Sequence, residues 1–253
     1  MHSEIIPNRV IIEITGVDSA NFLQGLISND IKQAENKLVY TALLSPKGKY
    51  LFDFFITTYR SGFLLDVLAL DAAKLIQRLN MYKLRADVTL AETNMAVGRG
   101  VGLAPQGSFS DPRHHALGWR IYGPEQTEIS TVNWDSIRVE YCVPETGIEL
   151  ISDETYILEA GFERMSGVDF RKGCYVGQEI TARMKHKTEL RKGLVTVNIL
   201  GSAPISTDIL SNGKIAGKLF TQSGEKAIAY LRFDRVSAHM TAGTAKVKYC
   251  EPV

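Results

Sequence analysis

The chain has 253 residues, 29 Lys+Arg against 28 Asp+Glu, 45% hydrophobic and 23% charged residues, a balance that rules out a disordered, collagenous or fibrous polypeptide. A chain of this length buries roughly 70–75% of its unfolded surface, so one or two domains can form without disulfide or metal staples. The net charge of +1 gives no global field to concentrate polyanions, so any basic site must be local.

The N-terminal segment 1–9 lacks the basic start and apolar run of a secretion signal. The greasiest region, Phe63 to Leu79, carries Asp66, Asp71, Lys74, Gln77 and Arg78, too much charge for a membrane span. Three cysteines, Cys142, Cys174 and Cys250, form no CxxC pair and fit a reducing compartment. The expectation is a cytoplasmic protein that neither enters membranes nor binds nucleic acid stably.

In chain order, Arg9 to Ile14 reads as a strand, and Asp18 as the N-cap of a helix with Phe22, Leu23, Leu26 and Ile27 on one face. Leu38–Leu44 and Lys49–Thr57 form a hairpin around Ser45-Pro46-Lys47-Gly48. Strict alternation along its second strand puts Tyr50, Phe52, Phe54 and Ile56 on one face and Leu51, Asp53, Phe55 and Thr57 on the other. Asp53 then sits among apolar neighbours and needs a partner or a ligand. Phe63–Leu68 is a strand, Asp71 caps a helix burying Leu75, Ile76 and Leu79, and Ala86–Leu90 is extended again. The order is β-α-β-β-β-α-β.

The Gly-, Pro- and His-rich stretch from Gly98 to Gly123 reads as a linker or insertion with a short strand or two, and a helix follows around Trp134 to Cys142. His114 and His115 read as loop residues, Trp119 and Trp134 as packing. Beyond Arg191, the β-prone segments Leu194–Leu200, Lys214–Phe220, Ala227–Phe233 and Ala245–Tyr249 suggest a small antiparallel barrel or sandwich. The division is a composite domain over 1–190 and a C-terminal β domain over 191–253.

The most distinctive chemistry is Arg171-Lys172-Gly173-Cys174-Tyr175-Val176-Gly177-Gln178-Glu179 ahead of the helix formers Ile180 to Met184. Two cations and a nearby helix start favour the thiolate of Cys174. The same residues also suit a small buried hydrophobe in a tight glycine turn.

Lys172 to Glu179 resembles the signature of the YgfZ family, relatives of the glycine-cleavage T-protein. Phe22-Leu23-Gln24-Gly25, Leu43 to Lys49, Tyr82 to Val88, Asp111-Pro112-Arg113 with Gly118-Trp119-Arg120, and Gly147 extend the resemblance over most of the chain. Gly167 to Cys174 with Thr181-Ala182-Arg183 looks like the branch of iron–sulfur assembly factors. The resemblance implies an α+β aminomethyltransferase-like fold with ferredoxin-like and antiparallel sheet units around a channel, plus a small C-terminal β-barrel.

It further implies a tetrahydrofolate site and maturation or repair of iron–sulfur proteins, with folate and the assembly proteins or client enzymes as partners of a monomer. Cys174 is then the functional thiol. Glu140, in Arg138-Val139-Glu140, matches the T-protein segment whose Glu holds the pterin, a job that suits a carboxylate because it accepts paired N–H bonds. Arg171, Lys172, Lys83 and Arg85 are candidates for an anionic tail, and Tyr175, Gln178 and Glu179 complete the set. Where the T-protein has paired aspartates, this chain has Phe52-Asp53. One acid is missing, so the resemblance leaves one-carbon transfer to folate, or an indirect role in tRNA modification, as the alternative, with Asp53 as its catalytic residue. From the residues alone, Asp53 reads equally as a strand residue satisfied by a neighbouring backbone group or Arg.

Overall fold

The computed structural model describes residues 2–123, 131–186 and 190–249. Fifteen strands among them form three antiparallel sheets. The first half supplies β1 (His2–Ile5), β2 (Arg9–Thr15), α1 (Ser19–Gln24), β3 (Val39–Leu44), β4 (Tyr50–Tyr59), β5 (Gly62–Leu68), α2 (Ala69–Lys83) and β6 (Thr89–Glu92). Apart from β1 and a 3-10 turn at Ile31–Glu35, this is the predicted order. Strands β3-β4-β5-β2-β6 make a five-stranded sheet.

The five-stranded sheet is apolar on both faces. Phe52, Phe54 and Ile56 of β4 pack with Leu23, Leu75 and Leu79 beneath α1 and α2. Tyr40, Leu44 and Phe55 pack on the other face with Val143, Ile157, Phe162 and Met165. Burying a side chain of this size removes enough apolar surface to contribute roughly 1.5–3 kcal/mol each. Two helix starts differ from expectation. Helix α2 begins at Ala69 after Leu68, so Asp71 lies in its first turn rather than at the cap. Asp18 does occupy the N-cap of α1 but gives the helix no side-chain bond; its Oδ2 accepts from Asp87 N at 2.8 Å and ties α1 to the chain entering β6.

The stretch read as a linker is instead a second sheet. β7 (Ala96–Val101), β8 (Phe109–Ser110) and β9 (Trp119–Gly123) join β1 in the order β1-β7-β9-β8. Gly98 and Gly118 caused the misreading, because each lets a neighbouring strand approach too closely for a Cβ: one at Gly98 would lie 2.8 Å from the Ile121 side chain, and one at Gly118, which takes φ +66° in the turn before β9, 2.0 Å from Gly100 O. They therefore mark tight packing, not a break.

Helix α3 (Trp134–Glu140) is capped by Asn133, whose side chain accepts from Ser136 N at 3.0 Å. Helix α4 (Gln178–His186) follows the cysteine segment. The remaining strands, β10 (Lys192–Leu200), β11 (Asp208–Ser211), β12 (Lys214–Ser223), β13 (Lys226–Arg232), β14 (Met240–Ala242) and β15 (Ala245–Tyr249), close into a six-stranded barrel. Ile209, Leu219, Leu231 and Val247 fill it. β11 and β14, only four and three residues long, carry too little alternation to read as strands in the sequence.

Candidate functional site

A cavity of about 230 Å3 lies between the five-stranded sheet, the second sheet and α3, with Asp53, Phe55 and Thr146 on its wall beside five arginines. Asp53 is 8% exposed and its partners are hydroxyls. Tyr40 donates to Oδ2 at 2.9 Å, Tyr50 to Oδ1 at 2.7 Å, and Thr146 also to Oδ1. Burial, together with the Asp53 charge, raises both tyrosines well above the usual phenol range, so they remain donors at any physiological pH.

Tyr50 reaches Asp53 because the β3–β4 register shifts between Leu43 and Leu44, where Leu43 faces Phe52 but Leu44 faces Tyr50. The extra residue is a bulge that turns Tyr50 to the Asp53 side and Leu51 to the opposite core. Strict alternation put Tyr50 on the wrong face. Phe52 points into the helix-covered core, so Asp53 is the lone acid of this strand in the cavity.

Around Asp53 the arginines are held by carboxylates. Asp66 of β5, 1% exposed, accepts from Arg9 Nε at 2.5 Å, Arg120 at 2.9 Å and Tyr122 OH at 3.2 Å. Asp111 takes Arg113 through two side-chain bonds, at 3.0 and 2.7 Å, and Arg120 at 3.1 Å. Burial alone would raise the Asp111 carboxyl, but Arg113 and Arg120 outweigh it and hold the group well below the usual carboxylate range. The Arg120 and Arg113 guanidinium carbons lie 3.9 and 4.9 Å from the Phe55 ring centre, and Arg99 lies 4.0 Å from that of Trp134. These charges stack on aromatic faces that stabilise them. The indole N–H of Trp134 and Nε of Arg138 are buried without a hydrogen-bond partner among the described residues, so the α3 wall is the least satisfied part of the site.

The cysteine segment lies outside this cavity. Lys172 is 7% exposed, and its Nζ donates to the carbonyls of Gln24, Ile27 and Asn29 at 2.8, 2.5 and 2.8 Å. Burial pushes this ammonium down to about 8, against the pull of Asp30 and Asp169. The lysine thus fastens the segment to the loop after α1. Gly177, at φ +83°, lies against the β3–β4 turn, where a Cβ would be 2.7 Å from Ser45 O; Gly48 at φ +70° meets Ile180 from the other side at 2.6 Å. Anchored at Lys172 and at Gly177, the segment presents Cys174 exposed between them, which excludes the buried-hydrophobe reading. Cys142 is buried, its thiol pushed up to about 11 by burial.

The other predicted site residues scatter. Glu140, expected to hold the pterin, lies outside this cavity in an exposed ion pair with Lys226 of the barrel, 2.6 and 2.7 Å from its two oxygens. The helix turns Arg138, two residues earlier, inward instead. Arg171 is exposed, 3.6 Å from Asp169. Lys172 is saturated by carbonyls and has no donor left for an anionic tail. Lys83 ends α2, with Arg85 exposed just beyond. Tyr175 is buried in the core beneath Lys172, Gln178 opens α4 with its amide 3.4 Å from Gly173 O, and Glu179 is exposed. None of these lines the Asp53 cavity. The arginines that do line it were missed, although Asp111-Pro112-Arg113 and Trp119-Arg120 carried the resemblance. His114 caps a 3-10 turn at His115–Leu117 and stacks on Tyr141 at 3.9 Å.

Comparison with known proteins agrees with this architecture. Residues 191–253 match the family model described as CAF17, C-terminal beta-barrel domain. The chain is 30% identical over 217 residues to the mitochondrial iron-sulfur cluster assembly factor IBA57 homolog of Pyricularia oryzae, covering 75% of this chain and 55% of that protein. To the mouse factor IBA57 it is 26% identical, covering 95% of this chain and 80% of the relative. The chain therefore spans little more than half the length of the fungal relatives it matches. The crystal structure of the glycine cleavage system aminomethyltransferase T from Bartonella henselae superposes with a TM-score of 0.74 at 15% identity, over 99% of this chain and 86% of that one, which establishes the fold. In its closed barrel, its likeness to the assembly factors over 75–95% of its length and its aminomethyltransferase-like fold, the chain is similar to the CAF17/IBA57 group of YgfZ-like proteins.

Proposed function

We propose that this protein assists the maturation or repair of iron–sulfur proteins, with tetrahydrofolate as its bound cofactor and Cys174 as its working thiol. The observation that carries the reading is the exposed Cys174, pinned on both sides, in a chain that aligns over 75–95% of its length with proteins named iron–sulfur cluster assembly factors. A thiolate is a soft ligand suited to iron, and one exposed cysteine among the described residues fits transient ligation of a cluster in transit.

The residues at the Asp53 cavity fit part of a folate. Asp53 has an acceptor position left after three hydroxyls and could receive an N–H of a pterin edge, while Arg99 and Arg113 offer donors to its oxygen. At about 230 Å3, the cavity is smaller than the roughly 300–1,000 Å3 of drug-sized ligand sites, so it suits the ring system and leaves the tail outside. When bound, folate would supply a one-carbon carrier. The chain's own part is to hold the ring and shield it from water. Aminomethyl transfer is the second reading, and the inward turn of Phe52 weighs against it because a lone acid held by three hydroxyls lacks the partner for that chemistry.

The test is complementation of a deletion strain with wild type, Cys174→Ala and Asp53→Ala, reading several [4Fe–4S] enzymes, a non-iron enzyme and protein level. Cys174→Ala is expected to leave the cluster enzymes unrestored while folding normally. Full restoration by that variant would make the thiol dispensable and end the proposal. In parallel, calorimetry with tetrahydrofolate is expected to show binding to wild type and at least about tenfold weaker binding to Asp53→Ala, the loss of a charge-assisted bond.

A further inference from the structure

A second cavity, of about 740 Å3, lies at the seam between the barrel and the rest of the chain and shares no lining residue with the Asp53 cavity. Its apolar walls come from Ile151 on one side and Leu194, Ile215, Phe220 and Tyr230 of the barrel on the other. Protein interiors close such surfaces to near-crystalline density, yet these cannot collapse because polar bridges fix the two sides apart. Tyr230 OH donates to Glu159 Oε2 at 2.6 Å, Leu194 N to Glu159 O at 2.7 Å, Thr221 N to Glu149 Oε1 at 3.2 Å and Thr196 Oγ1 to Val139 O at 2.6 Å. A volume of this size, largely apolar with a few convergent polar atoms, has the make-up of a small-molecule site.

The chemistry of the head group follows from which polar atoms are free. Glu149 is saturated, with bonds from Arg138, Glu145 N, and Thr221 through both its amide and its hydroxyl. Glu159 is not. It is 8% exposed, its Oε2 takes Tyr230, and Oε1 has only the half-exposed Lys192 ammonium, at 3.6 Å, beyond hydrogen-bond distance. This oxygen, on a residue otherwise largely buried, accepts N–H donors and repels anions; of the cations that also line the cavity, Lys218 is paired with Asp208, Arg232 with Asp234, and Arg235 donates to Ile215 O.

We propose that the seam cavity is a second ligand site, taking a small molecule with an apolar ring-sized body and an amine- or amidine-type head that donates to Glu159 Oε1. Lys192 gives way to that head by swinging into solvent. A bound molecule would touch the barrel and the body together and set the stiffness of their junction.

Benzamidine is the probe, titrated into the full-length protein by calorimetry and ligand-observed NMR, with benzoate as the same ring bearing the opposite charge. Benzamidine is expected to bind wild type, benzoate not. Glu159→Gln keeps the shape and an acceptor for Tyr230 but removes the charge, and is expected to raise the benzamidine Kd at least about tenfold. Ile215→Trp, introduced at a half-exposed position on the wall, is expected to abolish binding by filling the space, and it serves if Glu159→Gln fails to fold. Asp53→Ala and Cys174→Ala should leave the benzamidine Kd unchanged, which separates this site from the folate and thiol reading. Absence of benzamidine binding to wild type, equal affinity for benzoate, or unchanged affinity in Ile215→Trp would overturn the proposal.

Discussion

Lys172→Met is expected to release the cysteine segment while leaving the sheets in place. The ammonium is the common donor for the carbonyls of Gln24, Ile27 and Asn29, and methionine fills the same volume without a donor. An unsatisfied buried acceptor costs about 1–3 kcal/mol, so the variant should lose roughly 3 kcal/mol or more in urea unfolding. Amide exchange should rise around 24–29 and 171–177 and stay protected in β4 and β5. Lys172→Ala opens a cradle of three carbonyl oxygens, and added propylammonium is expected to slow exchange there again. Failure of the alkylammonium to restore protection would mean that the lysine stem, not its charge, holds the segment.

The sign of the pH dependence follows from the same residue. Burial pulls the Lys172 ammonium from 10.5 to about 8 in the folded chain, so between those values the unfolded chain binds the extra proton. Unfolding free energy therefore rises with pH across that window relative to Lys172→Met, and the penalty for burying the charged amine is fully present below it. Parallel urea titrations of the two proteins at pH 7 and 10 read the difference directly. A gap that narrows with rising pH would contradict it.

Asp66→Ala is expected to be the most destabilising single change at the arginine cluster. It leaves Arg9 with no carboxylate partner and Arg120 with Asp111 alone, and a buried cation left unpaired costs about 3–5 kcal/mol. Because Asp66 lies in β5 and Arg120 in β9, the damage should appear as loosening between the five-stranded and second sheets. Asp111 adds an acid limb. Its folded carboxyl lies below its unfolded value, so its contribution is complete above about pH 4 and is lost as pH falls through the folded value. Wild type should lose stability over that range more steeply than Asp111→Asn, measured by urea titration from pH 5 down to 2.5; parallel slopes would exclude Asp111 as the source.

Much of the five-stranded sheet was legible because its strands are continuous β-prone apolar runs and its turns carry Pro and Gly. Asp53 was flagged from alternation alone, since a carboxylate on an apolar face demands partners. Those partners were not legible. Tyr50 required a bulge one residue long, and Thr146 comes from a stretch with no periodicity, nearly a hundred residues away in sequence. Glu140 failed for the opposite reason: local motif similarity fixes a residue's position in a helix but not which way that helix faces, and here the inward side belongs to Trp134 and Arg138. The second sheet was hidden because its glycines, which allow close approach between strands, look in sequence like breaks. Lys172 looked like a ligand-binding cation because sequence shows charge without showing that three carbonyls lie within its reach.

The closed barrel restricts how anything can attach to it. A free sheet margin offers unpaired amides and carbonyls onto which another polypeptide can add a strand, and β10 has neither side open, pairing with β13 along one and β15 along the other. A protein partner must therefore grip the barrel through side chains. The same closure joins segments about fifty residues apart in sequence, so during synthesis the two strands beside the gap, β10 and β14, remain incomplete until residues 245–249 have emerged. Loss of that final strand would leave two sticky margins beside an apolar interior, converting the most self-contained part of the molecule into the part most prone to aggregate.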